Sequence, residues 1–94
     1  MLKIGKYAYI IIVVLPEFYL VEYLDDKAFK IAFGRNIRKL RKTKNFTQEE
    51  LANELDIEIS QISRIERGVI STSITTVNSI AKVLKISISD LFDW

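Results

Sequence analysis

The sequence predicts an all-α protein, a compact domain of five short helices preceded by an apolar N-terminal extension. Three observations carry this. From Phe29 to the end of the chain, apolar residues recur at three- and four-residue spacing, the signature of one buried helix face. Cap-forming and helix-stopping residues interrupt that pattern at short intervals. A length of 94 residues, 49% of them hydrophobic and 28% charged, suits one packed core with a solvated surface.

The elements follow in order. Phe29, Phe33, Ile37 and Leu40 share one face of a first helix, and Arg35, Lys39 and Lys42 fall on another. Asn45 is a natural stop, because asparagine tolerates left-handed backbone. Thr47 opens a second helix, and Glu50 three residues later completes a capping box. Leu51, Ala52 and Leu55 form its inner face, and Asp56 marks a turn. A third helix starts near Glu58, takes Ile59 or Ile62 together with Ile65 as apolar contacts, and ends at Gly68. After the cap-rich loop Ser71-Thr72-Ser73, a fourth helix carries Ile74, Val77, Ile80, Ala81 and Leu84. Ser87 or Ser89 caps a short last helix with Leu91 and Phe92. Connections this short imply a compact all-α domain.

The chain changes character near Asp25-Asp26-Lys27, which divides it into an extension, residues 1–28, and a helical domain, residues 29–94. Tyr7 to Leu15 is an unbroken apolar run, followed by Pro16-Glu17 and then Phe18 to Leu24. Lys3 and Lys6 ahead of it imitate a signal peptide, but no small-residue cleavage site follows. A membrane span needs about 20 apolar residues, and Pro16, Glu17 and Glu22 interrupt this one. Ile10 to Val14 favours a strand or an arm that packs on the domain or on a partner subunit. Pro16 could equally open a helix at its first turn.

Composition narrows the function. The sequence has no cysteine and no histidine, which removes disulfides, Cys/His metal sites, thiol nucleophiles and imidazole bases. Its three glycines, Gly5, Gly34 and Gly68, lie far apart, so there is no phosphate-cradling loop. No enzyme, cofactor or metal is expected, and a cysteine-free chain suits the cytoplasm. The net charge is only +2, but Phe29 to Lys44 holds Lys30, Arg35, Arg38, Lys39, Arg41, Lys42 and Lys44 with no acidic residue. That block fits a phosphate backbone, though a solvated helix face has the same composition.

The informative stretch is Thr47 to Gly68. Two short helices are joined by a tight turn, Ala52 allows them to cross closely, and Leu51, Leu55, Ile57, Ile62 and Ile65 anchor the crossing. That leaves the outer face of the second of them free to enter a DNA major groove. Here the chain resembles the phage lambda-repressor-like, Cro-type (XRE family) helix-turn-helix regulators. Thr-Gln-x-x-Leu-Ala at 47–52 and Ile-Ser-x-Ile-Glu-x-Gly at 62–68 carry the resemblance. Leu40-Arg41 upstream and Ile80-Ala81-x-x-Leu84 downstream extend it over about Phe33 to Asp93.

The resemblance assigns roles. Ile59, Ser60, Ser63 and Arg64 would meet base edges: arginine grips guanine O6 and N7, serine adapts, and isoleucine suits a thymine methyl. Ile59 has the alternative of the core. Gln48, with Thr47 and the amides at that helix start, would bind phosphate, as would Arg35, Lys39 and Arg67. Arg41 and Glu66 match a structural ion pair of the family. The chain departs from the pattern at three places. Asp56 replaces the usual turn glycine, Glu58 replaces a serine or threonine, and Val69, Ile70 and Thr72 replace basic residues and proline.

The function implied is a sequence-specific transcriptional regulator, a repressor binding double-stranded DNA at a palindromic operator as a homodimer. The last helix, with Leu91, Phe92 and Trp94, and the N-terminal arm are the two candidate dimer surfaces. The competing function is an antitoxin-like subunit that uses the same fold to bind a protein partner, suggested by the apolar extension and the Val69-Ile70 loop.

Overall fold

Four of the five helices described start where a side chain accepts from their first orphan amides, the third being the exception. The computed structural model describes residues 24–94. They form four α-helices and a short 3₁₀ helix: α1 Asp26–Thr43, α2 Gln48–Leu55, α3 Ile59–Glu66, α4 Ile74–Leu84 and the 3₁₀ helix Ile88–Phe92. No strand occurs among the described residues. Asp25 caps α1 by accepting from the Ala28 amide at 2.8 Å. Thr47 and Glu50 form the capping box of α2, Ser73 caps α4, and Ser87 with Asp90 forms a second box at the 3₁₀ helix. Such caps are each worth about 1 kcal/mol.

Two elements differ from their sequence-based expectations. The first helix begins at Asp26, ahead of the expected Phe29, because Asp25 supplies the cap that the composition break concealed. The fifth helix is 3₁₀, one short turn held by Ser87 and Asp90, too brief for a stable α-helix. The strand, arm, helix and membrane alternatives for the N-terminal extension fall on residues outside those described. No helix among the described residues is long and apolar enough to cross a membrane.

The four α-helices all end alike. Asn45, Asp56, Gly68 and Lys85 take positive φ values of 63°, 55°, 70° and 57°. Each donates its amide three residues back, and the next residue donates five residues back, the paired bonds of a Schellman ending. The residue after each left-handed one is apolar. Phe46, Ile57 and Ile86 pack on the core, whereas Val69 is 56% exposed.

The core is built from Phe33, Ile37, Leu51, Ala52, Ile62, Ile65, Val77, Ile80, Ala81, Leu84 and Leu91. Burying each large side chain stabilises the fold by roughly 1.5–3 kcal/mol. Ile74 was expected on the apolar face of the fourth helix but is 83% exposed. It is the first residue of α4, one turn short of the core that begins at Val77. Asn36, buried inside α1, donates its side-chain amide to the carbonyls of Asp90 and Leu91 at 2.9 and 2.8 Å. The last turn of the chain is thereby fastened to α1. Phe29, Phe33, Phe92 and Trp94 close the same end, with Phe33 and Phe92 stacked at 5.0 Å and Phe29 edge-on to Trp94 at 5.5 Å.

Gly34 sets the approach of α1 to α3. A Cβ there would stand 2.3 Å from the Ile65 carbonyl oxygen and 2.7 Å from that of Glu66. Replacing Gly34 by alanine is therefore expected to force the two helices apart and to destabilise the fold by about 1–3 kcal/mol. Urea denaturation checks this, and a variant as stable as the parent would contradict the packing.

Candidate nucleic-acid interface

The site is assembled on α2, the turn and α3. Leu51, Ala52, Ile62 and Ile65 are essentially sealed from solvent, so the inner faces of both helices are fixed by the core. The small Ala52 side chain permits the close crossing. Asp56 turns the chain in left-handed backbone, in place of a glycine, with the tolerance that aspartate has for that region. Glu58 occupies the N-cap of α3 without a side-chain capping bond.

Burial along α3 separates two faces. Ile62, Ile65 and Glu66 are buried. Ile59 is 46% exposed, Ser60 and Arg64 are exposed, and Ser63 is half-buried. The spacing of Ile59, Ser60, Ser63, Arg64 and Arg67 places them on one helix face, and Ile59 stands outside the core. The Arg67 Nε donates to Ser63 Oγ at 3.2 Å. The Ser63 hydroxyl thus already has one partner, and it keeps its own proton to donate.

Behind this face lies a buried polar network. Arg41 and Glu66 are 6% and 4% exposed. Arg41 donates through Nε and a terminal nitrogen to the two Glu66 carboxylate oxygens, at 2.5 and 3.0 Å, and through its other terminal nitrogen to the Phe46 carbonyl at 2.7 Å. Gln48 Nε2 donates to Glu66 Oε1 at 3.0 Å. One carboxylate on α3 therefore gathers an arginine from α1 and a glutamine from the first position of α2. The planar guanidinium matches a carboxylate with two parallel bonds, which lysine cannot do.

This network affects two of the residues singled out from the sequence. Gln48 spends one amide proton on Glu66 and retains the other for an outside acceptor. The Gln48–Glu66 bond was not anticipated, because nothing in a sequence spacing links residues 18 apart on separate helices. Arg41, one of the seven basic residues between Phe29 and Lys44, is turned inward. Arg35, Arg38, Lys39, Lys42 and Lys44 are exposed. Arg35 and Lys39 sit one turn apart on α1, and Arg35 follows the glycine at which α1 meets the end of α3. Asn36 also escaped the sequence reading. A poor helix former in mid-helix, directly beside a core isoleucine, is the signal that could have revealed it.

At the start of α2 the Thr47 amide donates to Glu50 Oε1 at 2.9 Å, and Glu50 accepts nothing from the core. The backbone bond from Thr47, then its side-chain bond, holds the Glu50 carboxyl below the usual carboxylate range. A carboxyl lowered on folding stabilises the fold above its unfolded-state pKa, and that stabilisation is lost as pH falls through the folded-state value.

Two outcomes follow from these contacts. Glu66→Ala leaves the Arg41 charge buried without its partner and is expected to cost about 3–5 kcal/mol. The double replacement Arg41→Met with Glu66→Leu should recover much of that loss, as read by chemical denaturation. Glu50→Gln should lower the urea midpoint at neutral pH, and the difference from the parent should vanish on acidification below the carboxylate range. A difference that persists in acid would contradict the charged capping box.

Comparison with known proteins agrees with this geometry. The family model HTH_3, described as helix-turn-helix, matches residues 37–91, more than half of the chain. The control protein C.BamHI of Bacillus amyloliquefaciens is 38% identical over 66 residues, which is 69% of this chain and 82% of that protein. YazB of Bacillus subtilis, described as an uncharacterized HTH-type transcriptional regulator, is 42% identical over 59 residues, 63% of this chain and 86% of that one. Among solved structures, the restriction-modification controller C.AhdI of Aeromonas hydrophila superposes with a TM-score of 0.70 at 32% identity. The match takes in 73% of this chain and all 100% of that one. SinR, a master regulator for biofilm formation solved in complex with DNA, gives 0.61 at 32% identity over 65% of this chain and 98% of its own. With a family model matching more than half of its length and a relative 38% identical over 69% of it, the chain belongs to the helix-turn-helix family of lambda-repressor-like, Cro-type (XRE) regulators.

Proposed function

We propose that this protein is a sequence-specific transcriptional regulator, a cytoplasmic repressor that binds a palindromic operator as a homodimer and catalyses no reaction. The observation that carries the reading is the outward face of α3. Ile59, Ser60 and Arg64 stand exposed on a helix whose opposite side, Ile62, Ile65 and Glu66, is locked into the core. A helix so held can enter a major groove as a rigid probe. Arg64 would pair with guanine, Ser60 and Ser63 with base-edge donors or acceptors, and Ile59 with a thymine methyl. Thr47, the free proton of Gln48, Arg35, Lys39 and Arg67 would hold phosphates and set the register. The names of the relatives, control proteins and transcriptional regulators among them, support transcriptional control as the use of that binding. One domain contacts little DNA, so two copies on half-sites about 34 Å apart supply the affinity of a specific complex.

The second reading is an antitoxin-like subunit that binds a protein partner. The exposure of Val69 favours it, since the equivalent residue at each of the other helix ends packs inward.

Selection of bound sites from random DNA tests the first reading directly. The expected product is an inverted repeat, bound by the chain alone with affinity that falls steeply with salt. Arg64→Ala should relax preference at one base position by about 1–3 kcal/mol, while Lys39→Ala should weaken all sequences alike. Binding only in the presence of another protein would favour the second reading. Unchanged binding by both variants would contradict the docking of α3.

A further inference from the structure

The outer face of α3 carries one contact of its own. Arg67 Nε donates to Ser63 Oγ at 3.2 Å, one helical turn back. The side chains of Ser60 and Arg64 make no hydrogen bond among the described residues, so Ser63 is the polar residue of this face that is already committed before DNA arrives. A hydroxyl has one proton to give and two lone pairs to fill. A serine inside a helix often gives that proton to the carbonyl four residues back, but Ser63 makes no such bond among the described residues. Its proton is therefore uncommitted, while one lone pair is held by a guanidinium.

We propose that Arg67 is a positioning residue that fixes the polarity of Ser63, so that Ser63 acts as a donor toward the bases, selects an acceptor edge and rejects cytosine. The inference rests on the reading of α3 as the recognition helix and names what one of its residues discriminates. A positive guanidinium beside Oγ repels the partial positive charge of any further N–H that approaches the same oxygen. The hydroxyl is left with its proton to offer. Guanine presents N7 and O6 as acceptors in the major groove, adenine presents N7 and thymine O4. Cytosine alone presents only its N4 amine, a donor, and meets Ser63 donor against donor. A serine without the arginine could rotate and accept from that amine. Arg67 gives up only its Nε–H to Ser63, and the terminal N–H groups of the planar fork remain for a phosphate. The same side chain thereby links the backbone contact that sets the register to the hydroxyl that reads the base. As a contribution to stability the bond is minor, since exposed pairs one turn apart on a helix add little.

Site selection with the full chain, followed by binding measurements on Ser63→Ala, Arg67→Ala and the double variant, tests it. Neither side chain belongs to the core, so all three variants should fold as the parent does. One operator position should lose its preference in Ser63→Ala. At that position the parent should bind cytosine on the order of tenfold more weakly than the other three bases. Arg67→Ala should erase this discrimination, while also weakening every sequence and making the salt dependence shallower. In the Ser63→Ala background the same change should weaken all four bases alike, because no hydroxyl is left to orient. An Arg67 that served only a phosphate or the helix end would leave the discrimination against cytosine in place. That result would overturn the inference while the DNA-binding reading stands. A preference for cytosine at that position, or no position relaxed by Ser63→Ala, would overturn it as well. A chain that selects no sequence at all removes the reading and the inference together.

Discussion

The interaction on which the rest of the molecule depends is the buried pairing of Arg41 with Glu66. It joins the end of α1 to the end of α3, and through Gln48 it also holds the first residue of α2. Two charges removed from water are costly unless every polar group finds a partner. Here the guanidinium satisfies both carboxylate oxygens and the Phe46 carbonyl. The geometry is therefore stringent: α1, α2 and α3 have one relative placement in which all these bonds form. Apolar packing alone would tolerate small slides of one helix over another. The buried network specifies which of those arrangements is the native one, and with it the angle at which α3 presents its outer face.

The helix endings work to the same effect. Four left-handed residues close four helices with the same pair of backbone bonds, and three of the four following side chains lock into the core. Only glycine adopts that backbone without strain, yet only Gly68 is a glycine. At Gly68 the reason is space as well as backbone angle, since a Cβ would lie 2.7 Å from the Ile31 Cα. At Asn45, Asp56 and Lys85 no comparable contact applies, and the turn accepts a side chain at some conformational cost.

Much of this was legible in the sequence because it depends on neighbours along the chain. Helical periodicity placed Phe33, Ile37, Leu51, Ile62, Ile80 and Leu84 inside, and the Thr47–Glu50 spacing announced its capping box. What escaped depends on contacts between distant segments. Asn36 is polar and buried only because the Asp90 and Leu91 carbonyls arrive beside it. Ile74 reads as core by spacing, but the partner elements stop short of it. Lys85 gives no compositional hint of left-handed backbone, and Asp25 looks like the edge of a charged linker until its oxygen is seen on the Ala28 amide. At the interface, periodicity turned Ile65 inward but left Ile59 or Ile62 open as the other apolar contact of α3, which burial decides for Ile62. The division of the Gln48 amide between Glu66 and the outside could not be read, because it requires the crossing of two helices to be known.

The ring contacts among Phe29, Phe92 and Trp94 bring the first turn of α1 and the final residue of the chain together. The domain thus begins and finishes at a single corner. Losing one of these rings is therefore felt at the start of α1 and at the 3₁₀ helix together.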